Sequence, residues 1–486
     1  MEIINRKNSW VFLILCFVVG AMAEISFLHG WVGISYPIFI IFFYSLFLWR
    51  FRTKQLTHHR MGTLLLVCIW LLSLTFTLFD NVLFYALNSL LLPLLICVHL
   101  VLITSPKWLE WDRLEFVQHV FKRIGGAIHY DIRCAAVLRR KMKGRMKEST
   151  YDSMRKTLLG ILFSVPILFI VINLLVSTDV HFADLIGKIP NSLLSADMVE
   201  TILRSLAVFV YSLIIFGFFQ VLGKRNIPTR NPQIRGEKTF FDGVSILPIL
   251  VLLNVTYVLY TIIQFQYFFS GSLQDGFTYA EYARRGFFEL MTVTIINLSL
   301  IIFVLNYVKQ NKKIMLFIRI LLTLLVLFSN VMLASAFIRL YLYEEVFGFT
   351  LARVLPHSFM LFLTVIYGFT LLKIWIERVS LLRFFFLTGI VYYTLLNMAN
   401  VDRFIVDQNI ARYEKTARID IYYMNSLSYT GLDGLISLYE KEPNIHGLQQ
   451  LLKERQMEEY NTLESWQSYN FTKDKVVDRL EKLSFN

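Results

Sequence analysis

The chain has 486 residues, 56% of them hydrophobic and 17% charged, a balance that excludes an ordinary soluble domain and fits a chain embedded in lipid. The formal charge of +13 invites nucleic-acid binding. The basic residues, however, sit in short loops between apolar runs, where they orient membrane spans, so no nucleic-acid partner is expected. Of the cysteines, Cys16, Cys68 and Cys97 fall in apolar runs and Cys134 in a basic loop. No pair has metal-ligand spacing, and the adjacent His58 and His59 read as solvated loop, so no disulfide framework, metal or other cofactor is expected.

Apolar runs long enough to cross a bilayer, about 20 residues each, occur at 10–27, 31–50, 61–79, 82–103, 157–176, 201–222, 244–265, 286–308, 314–338, 355–376 and 381–398. The expected fold is therefore all-α, a polytopic bundle of about eleven transmembrane helices. Ala21-Met22-Ala23 resembles a signal-cleavage site, but the next run follows almost at once, which favours an uncleaved first span. Lys and Arg collect in alternate loops. One side gathers Arg6 and Lys7, then Arg50, Arg52, Lys54 and Arg60, the loop 104–156, Lys224, Arg225, Arg230, Arg235 and Lys238, Lys309, Lys312 and Lys313, and finally Arg378 and Arg383. Only Lys188, Arg284, Arg285, Arg339 and Arg353 fall on the other side before the tail. A multi-pass cell-membrane protein with a cytoplasmic N-terminus and an extracytoplasmic tail follows.

Within 104–156, Trp108, Trp111, Leu114, Phe116, Val117, Val120 and Phe121 recur at near-helical spacing between basic residues, the pattern of a helix lying in the membrane interface. Arg139, Arg140, Lys141, Lys143, Arg145 and Lys147 then form a polybasic run. It either fixes topology or docks on anionic lipid, or on another membrane protein, at the cytoplasmic face. Pro228, Pro232 and Gly236 punctuate a joint between an N-terminal half of six spans (1–222) and a C-terminal half of five (223–399). No internal repeat relates the halves, which weakens an inverted-repeat transporter reading. The tail, 400–486, is polar, and its apolar residues Ile405, Ile410, Leu432, Leu435, Ile436, Leu448 and Leu452 have helical spacing. A small external α-helical appendage is expected.

The approach to the eighth run carries charge into the bilayer. Thr278, Tyr282, Arg285 and Glu289 share one helical face, and Glu281, Arg285 and Glu289 make two successive i,i+4 steps. Ionisable groups at that depth are costly unless paired or facing a wet cavity, so this ladder is the expected functional centre. The outer ends of later runs add Arg339, Glu345 and His357, then Asn400, Asp402, Asn409 and Arg412. Together with Tyr282, Arg285 and Glu289 these form a candidate binding site for an anionic or sugar-bearing headgroup, since a guanidinium makes two-pronged contacts to phosphate or carboxylate. An aromatic belt with ion pairs that lock the tail to the bundle explains the same residues structurally.

Three ordered stretches, Y-A-R-R-G-F-F-E-L (Tyr282–Leu290), N-V-D-R-F-I-V-D-Q-N-I-A-R-Y (Asn400–Tyr413) and D-I-Y-Y-M-N-S-L-S-Y (Asp420–Tyr429), resemble the DUF4173 kind of bacterial membrane protein and its DUF4153 relatives over roughly the C-terminal half. Val401 stands where family members often have proline. The resemblance implies a bacterial polytopic membrane protein, names no activity, and adds weight to Arg285, Glu289, Asn400, Asp402, Asn409 and Arg412.

No phosphate-binding loop, H-E-x-x-H or G-x-S-x-G motif occurs. Three functions remain open. A transporter or flippase for an anionic or lipid-linked envelope molecule would use the outer cluster as its vestibule. A sensor or partner subunit would signal through the tail and the basic loop. A lipid-modifying enzyme would need a pair such as Glu289 with His357. Polar residues thin out below Asn297 and Ser299, which counts against transport, and acids and histidines are few, which counts against an enzyme. The transporter-like reading stands first.

Overall fold

The computed structural model describes residues 7–143, 196–224, 242–270, 279–308, 311–376, 380–460 and 465–485, with isolated positions between 153 and 175; at 7–9, 114, 135, 138–143, 196–199, 264–270, 279–286, 289 and 460 only the backbone is described. Every element in these ranges is helical, and nine of the described helices are long and apolar enough to cross a membrane. The protein is an all-α, multi-pass membrane protein. The expected run 157–176 lies, apart from isolated positions, outside the described residues.

Helices α1 (Lys7–Phe27), α2 (Ser35–Phe51), α3 (His59–Leu78), α4 (Val82–Thr104) and α6 (Ala196–Gly223) share one core. Helix α2, with 17 residues, is apolar but shorter than the rest. Phe219 is fully buried at the centre of this core, against the rings of Phe12, Phe43, Phe47 and Phe51. Without a hydrophobic drive between helices in lipid, close packing through small residues holds such bundles together. Gly20 of α1 illustrates this, for a Cβ there would fall on Ser212 of α6. Outside, α4 turns Leu83, Leu87, Leu90 and Leu94 away from the core; Leu90 is 78% exposed, as a lipid-facing residue should be.

Helix α5 (Leu114–Lys143) lies against α6. Its Phe116, Val120, Ala127 and Tyr130 enter the core, and buried Arg123 donates to the carbonyls of Val221 (2.6 Å) and Lys224 (3.2 Å), satisfying the end of α6. Val117, Phe121, Ile128 and Ile132 face outward. The expected apolar stripe is therefore split: Trp108 and Trp111 precede the helix, Phe116 and Val120 enter the core, and Val117 and Phe121 face outward.

A second core joins α7 (Gly243–Ser270), α8 (Tyr279–Tyr307), α9 (Lys312–Phe347) and α10 (Leu351–Trp375). Helix α11 (Leu381–Met398) packs on both α3 and α10, tying the two groups together. At 36 residues, or about 54 Å of helix, α9 exceeds a hydrocarbon core of about 30 Å.

The tail folds as α12 (Val401–Thr416), α13 (Ile421–Ser426), α14 (Ser428–Lys441), α15 (Leu448–Tyr460), a 3-10 turn at Trp466–Ser468 and α16 (Phe471–Glu481). Ile405, Leu432, Leu435, Ile436, Leu448 and Leu452 form its core, as their spacing implies, joined by Phe84 of α4. The tail is seated on helix ends. Asn470 donates to the carbonyls of Phe76 (3.0 Å) and Phe79 (2.8 Å) at the end of α3. Asp80 accepts from the backbone N–H of Tyr429 (2.5 Å) at the start of α14 and from the Thr430 hydroxyl (3.3 Å). The α1–α2, α3–α4 and α9–α10 turns thus lie on one face with the tail. The opposite face carries the α2–α3 turn, the 105–113 segment and the start of α11, where Arg383 and Ser380 hold Asp112.

Candidate functional site

Two clefts lie toward the tail face, each lined by polar side chains. The larger encloses about 170 Å³ between α7, α8 and α9 and is lined by Thr256, Tyr257, Tyr260, Leu290, Val293, Met332, Ala336 and Arg339. Polar bonds brace its floor. The Tyr257 hydroxyl donates to Asn297 Oδ1 (2.8 Å), and Asn297 Nδ2 donates to Ser329 Oγ (2.9 Å). The Tyr367 hydroxyl reaches Thr294 Oγ1 (2.9 Å). Bonds of this kind inside a bundle fix helix register, because each group would otherwise stand unsatisfied in hydrocarbon. Arg339 lies about two turns before the end of α9, where Nε and Nη2 donate to the Ser335 carbonyl (3.3 Å) and hydroxyl (3.2 Å). Among the described residues the result is a mostly apolar slot with one guanidinium.

The smaller cleft lies between α3, α4, α11 and α12 and holds about 20 Å³, room for about one water molecule. Asn81, Asn88, Asn397, Asn400 and Asp402 converge on it with Thr75, Tyr85 and three phenylalanines. Asn81 both accepts from Phe84 N–H (2.9 Å), starting α4, and donates to the two carboxylate oxygens of Asp402 (2.8 Å each). Deeper, Asn88 Nδ2 donates to Asn397 Oδ1 (2.8 Å) and Thr75 Oγ1 (3.1 Å), while the Tyr393 hydroxyl donates to Asn88 Oδ1 (2.6 Å). Burial pushes Asp402 up to about 6, against the Asn81 bond that favours the charged form; the nearby Asp80 carboxylate pushes the same way as burial. Asp80 is also raised by burial, with the bonds from Tyr429 and Thr430 opposing.

The α9–α10 turn collects the remaining expected residues. Gly348, at φ +85°, ends α9 in a conformation that disfavours a side chain, and a Cβ there would meet Asn409 and Arg412. Asn409 exchanges two hydrogen bonds with the Phe349 backbone (3.0 and 2.8 Å). Arg412 caps the last turn of α9 through the carbonyls of Glu345 (3.3 Å) and Val346 (2.6 Å). His357 Nδ1 lies 2.8 Å from Glu344 Oε2, and the Phe337 ring packs on the imidazole with centroids 4.1 Å apart. Glu344 is 3% exposed. No described residue reaches the buried Glu344 Oε1 or His357 Nε2.

The structure therefore distributes the expected set. Asn400 and Asp402 meet in the smaller cleft, where Asn400, at φ +45°, also caps α12 by accepting from Arg403 N–H (3.1 Å). Arg339 lines the larger cleft, Asn409 and Arg412 clamp the tail, His357 pairs with Glu344, and Glu345 lies exposed beside the clamp. Tyr282, Arg285 and Glu289 fall in the first turns of α8 ahead of Leu290, and their side chains lie outside the description. So do those of Arg139, Arg140, Lys141, Lys143, Arg145 and Lys147. Sequence reasoning missed Asp80, Asn81, Asn88, Tyr257 and Tyr260. An asparagine midway along an apolar run, as at Asn88, was the available signal.

No curated protein and no solved structure matches the chain. One family profile does, over residues 66–438, and the match begins inside α3, well before the C-terminal half, and includes every residue lining both clefts. The chain is a member of the DUF4153 family, described as a domain of unknown function.

Proposed function

We propose that this protein binds an anionic amphiphile in the cleft between α7, α8 and α9, with Arg339 at the headgroup and Leu290, Val293, Met332 and Ala336 along a chain. The single observation that carries this reading is a mostly apolar slot of about 170 Å³ with a guanidinium among its walls. It is smaller than the roughly 300–1,000 Å³ of drug-sized pockets, so it suits one end of an amphiphile whose remainder stays in lipid. Tyr260, half-buried on α7, fits a headgroup boundary, having an apolar body and a polar tip. With eleven spans and the basic loops in the cytoplasm, the slot opens in the outer half of the membrane. Its ligand is then an anionic or lipid-linked molecule of the envelope, and binding there is a step in its transport or flipping.

The test compares thermal stability of the purified protein with phosphatidylglycerol and with phosphatidylcholine. Ligand at about 100 times its Kd stabilises the folded state by about 2.7 kcal/mol. Wild type should gain more from the anionic lipid, Arg339→Gln should lose that difference, and Arg339→Lys should keep part of it. An equal gain from both lipids in wild type contradicts the reading.

The Glu344–His357 pair favours a second reading, a lipid-modifying enzyme. A carboxylate on Nδ1 orients an imidazole and leaves Nε2 as the base. Under that reading Glu344, rather than Glu289, is the partner of His357, and Glu344→Gln should abolish lipid turnover while leaving phosphatidylglycerol binding unchanged.

A further inference from the structure

The segment that ends the tail lies at the ends of membrane-length helices and bears large apolar side chains that no described residue covers. Backbone bonds set its height. Gly33 N–H donates to the Gln467 carbonyl (2.9 Å) and Ile34 N–H to the Tyr469 carbonyl (3.0 Å), joining 467–469 to the turn between α1 and α2. Gly33 has no room for a Cβ there, because the 468–469 backbone lies against it. Asn470 and Thr472 then bind the carbonyls that end α3, at Phe76, Phe79 and Leu78. These are the ends of helices that cross the membrane, so 466–472 is held at the boundary between hydrocarbon and water.

At that height Trp466 is 52% exposed and Phe471 56% exposed, close in sequence to Tyr469, and Trp31 of the α1–α2 turn is 66% exposed. An exposed tryptophan and phenylalanine are expensive in water and favourable in the headgroup layer, where aromatic rings concentrate. The polar groups of the same segment are turned inward instead, onto the helix ends. A stretch with its hydrogen bonds directed at the bundle and its rings directed away from it suits a lipid surface. A soluble partner is disfavoured by the same geometry, since headgroups already occupy that level around membrane-crossing helices.

We infer that Trp466–Phe471 is a membrane-interface anchor, which inserts Trp466 and Phe471 into the headgroup layer beside Trp31 and so fastens the far end of the tail to the bilayer. This is independent of the ligand proposed for the Arg339 cleft.

Site-directed spin labelling of the full chain in phosphatidylcholine nanodiscs tests it. Labels at Phe471→Cys and, separately, Trp466→Cys are compared with one at Tyr422→Cys, a tail residue 72% exposed; labelling of the unsubstituted chain gives the background from its own cysteines. Relaxation by oxygen, which concentrates in lipid, should dominate at 471 and 466, and relaxation by a water-soluble nickel chelate at 422. Nickel-dominated relaxation at both anchor positions overturns the inference. So does protection of both from either agent, which would mean that protein covers them. A variant that fails to fold is recognised by loss of its cooperative thermal unfolding transition, and the other anchor position then decides.

Discussion

Asp402 shows how a single carboxyl can couple the tail to the bundle. Its proton is held more tightly in the folded protein than in the unfolded chain, because burial raises it from the ordinary 3.8 to about 6. The sign follows from linkage: the stabilisation is fully present below about 4 and is lost as pH rises through about 6. At roughly 1.4 kcal/mol per unit, it amounts to about 3 kcal/mol at most. Asp402→Asn should therefore flatten the dependence of Tm on pH between about 4 and 6 relative to wild type. An identical slope in the two proteins would show that Asp402 does not titrate in that window. The residue stood out in the stretch Asn400–Tyr413, but its partner did not: Asn81 lies 321 residues away, and only the fold brings them together. Asn400 and Arg412 were legible as polar residues at a membrane boundary. That one caps α12 and the other caps α9 depends on backbone geometry that residue type alone does not disclose.

Among the elements, the apolar runs were the clearest signal, since length and composition decide whether a helix crosses lipid. Helix α9 exceeded its expected run, 314–338, because the turns from Arg339 to Phe347 continue as helix to meet the tail, where Arg412 holds its last carbonyls. Hydropathy marks where lipid ends; it does not mark where a helix ends. In α5, periodicity revealed an apolar face but could not tell lipid from protein, and the structure gives Phe116 and Val120 to the core and Val117 and Phe121 to the exterior. The α1–α6 contact rests on absent volume. Gly20→Leu should separate these helices and lower Tm, overpacking typically costing about 1–3 kcal/mol, whereas Leu90→Ala on the exposed face of α4 should change Tm little. Equal effects would mean that Gly20 does not lie at a close helix contact.

For the whole molecule, the tail is a lid over one face of the bundle, held by Asp80 at α14, Asn409 and Arg412 at α9, and Asn470 at α3. If the basic loops of the sequence face the cytoplasm, as the positive-inside rule expects, the tail lies outside the cell. Reporter fusions at Lys312 and Asn444 should then give cytoplasmic and extracytoplasmic signals respectively, and a shared signal would invert the sidedness proposed for the cleft. The most direct measurement of the central claim is electron cryomicroscopy of the protein in nanodiscs that mix phosphatidylglycerol with phosphatidylcholine, with wild type and Arg339→Gln compared. A lipid headgroup against Arg339, its chain running past Leu290 and Met332 in wild type and absent from the variant, is the predicted result. A wild-type cleft without lipid, or one filled alike in both proteins, would contradict it.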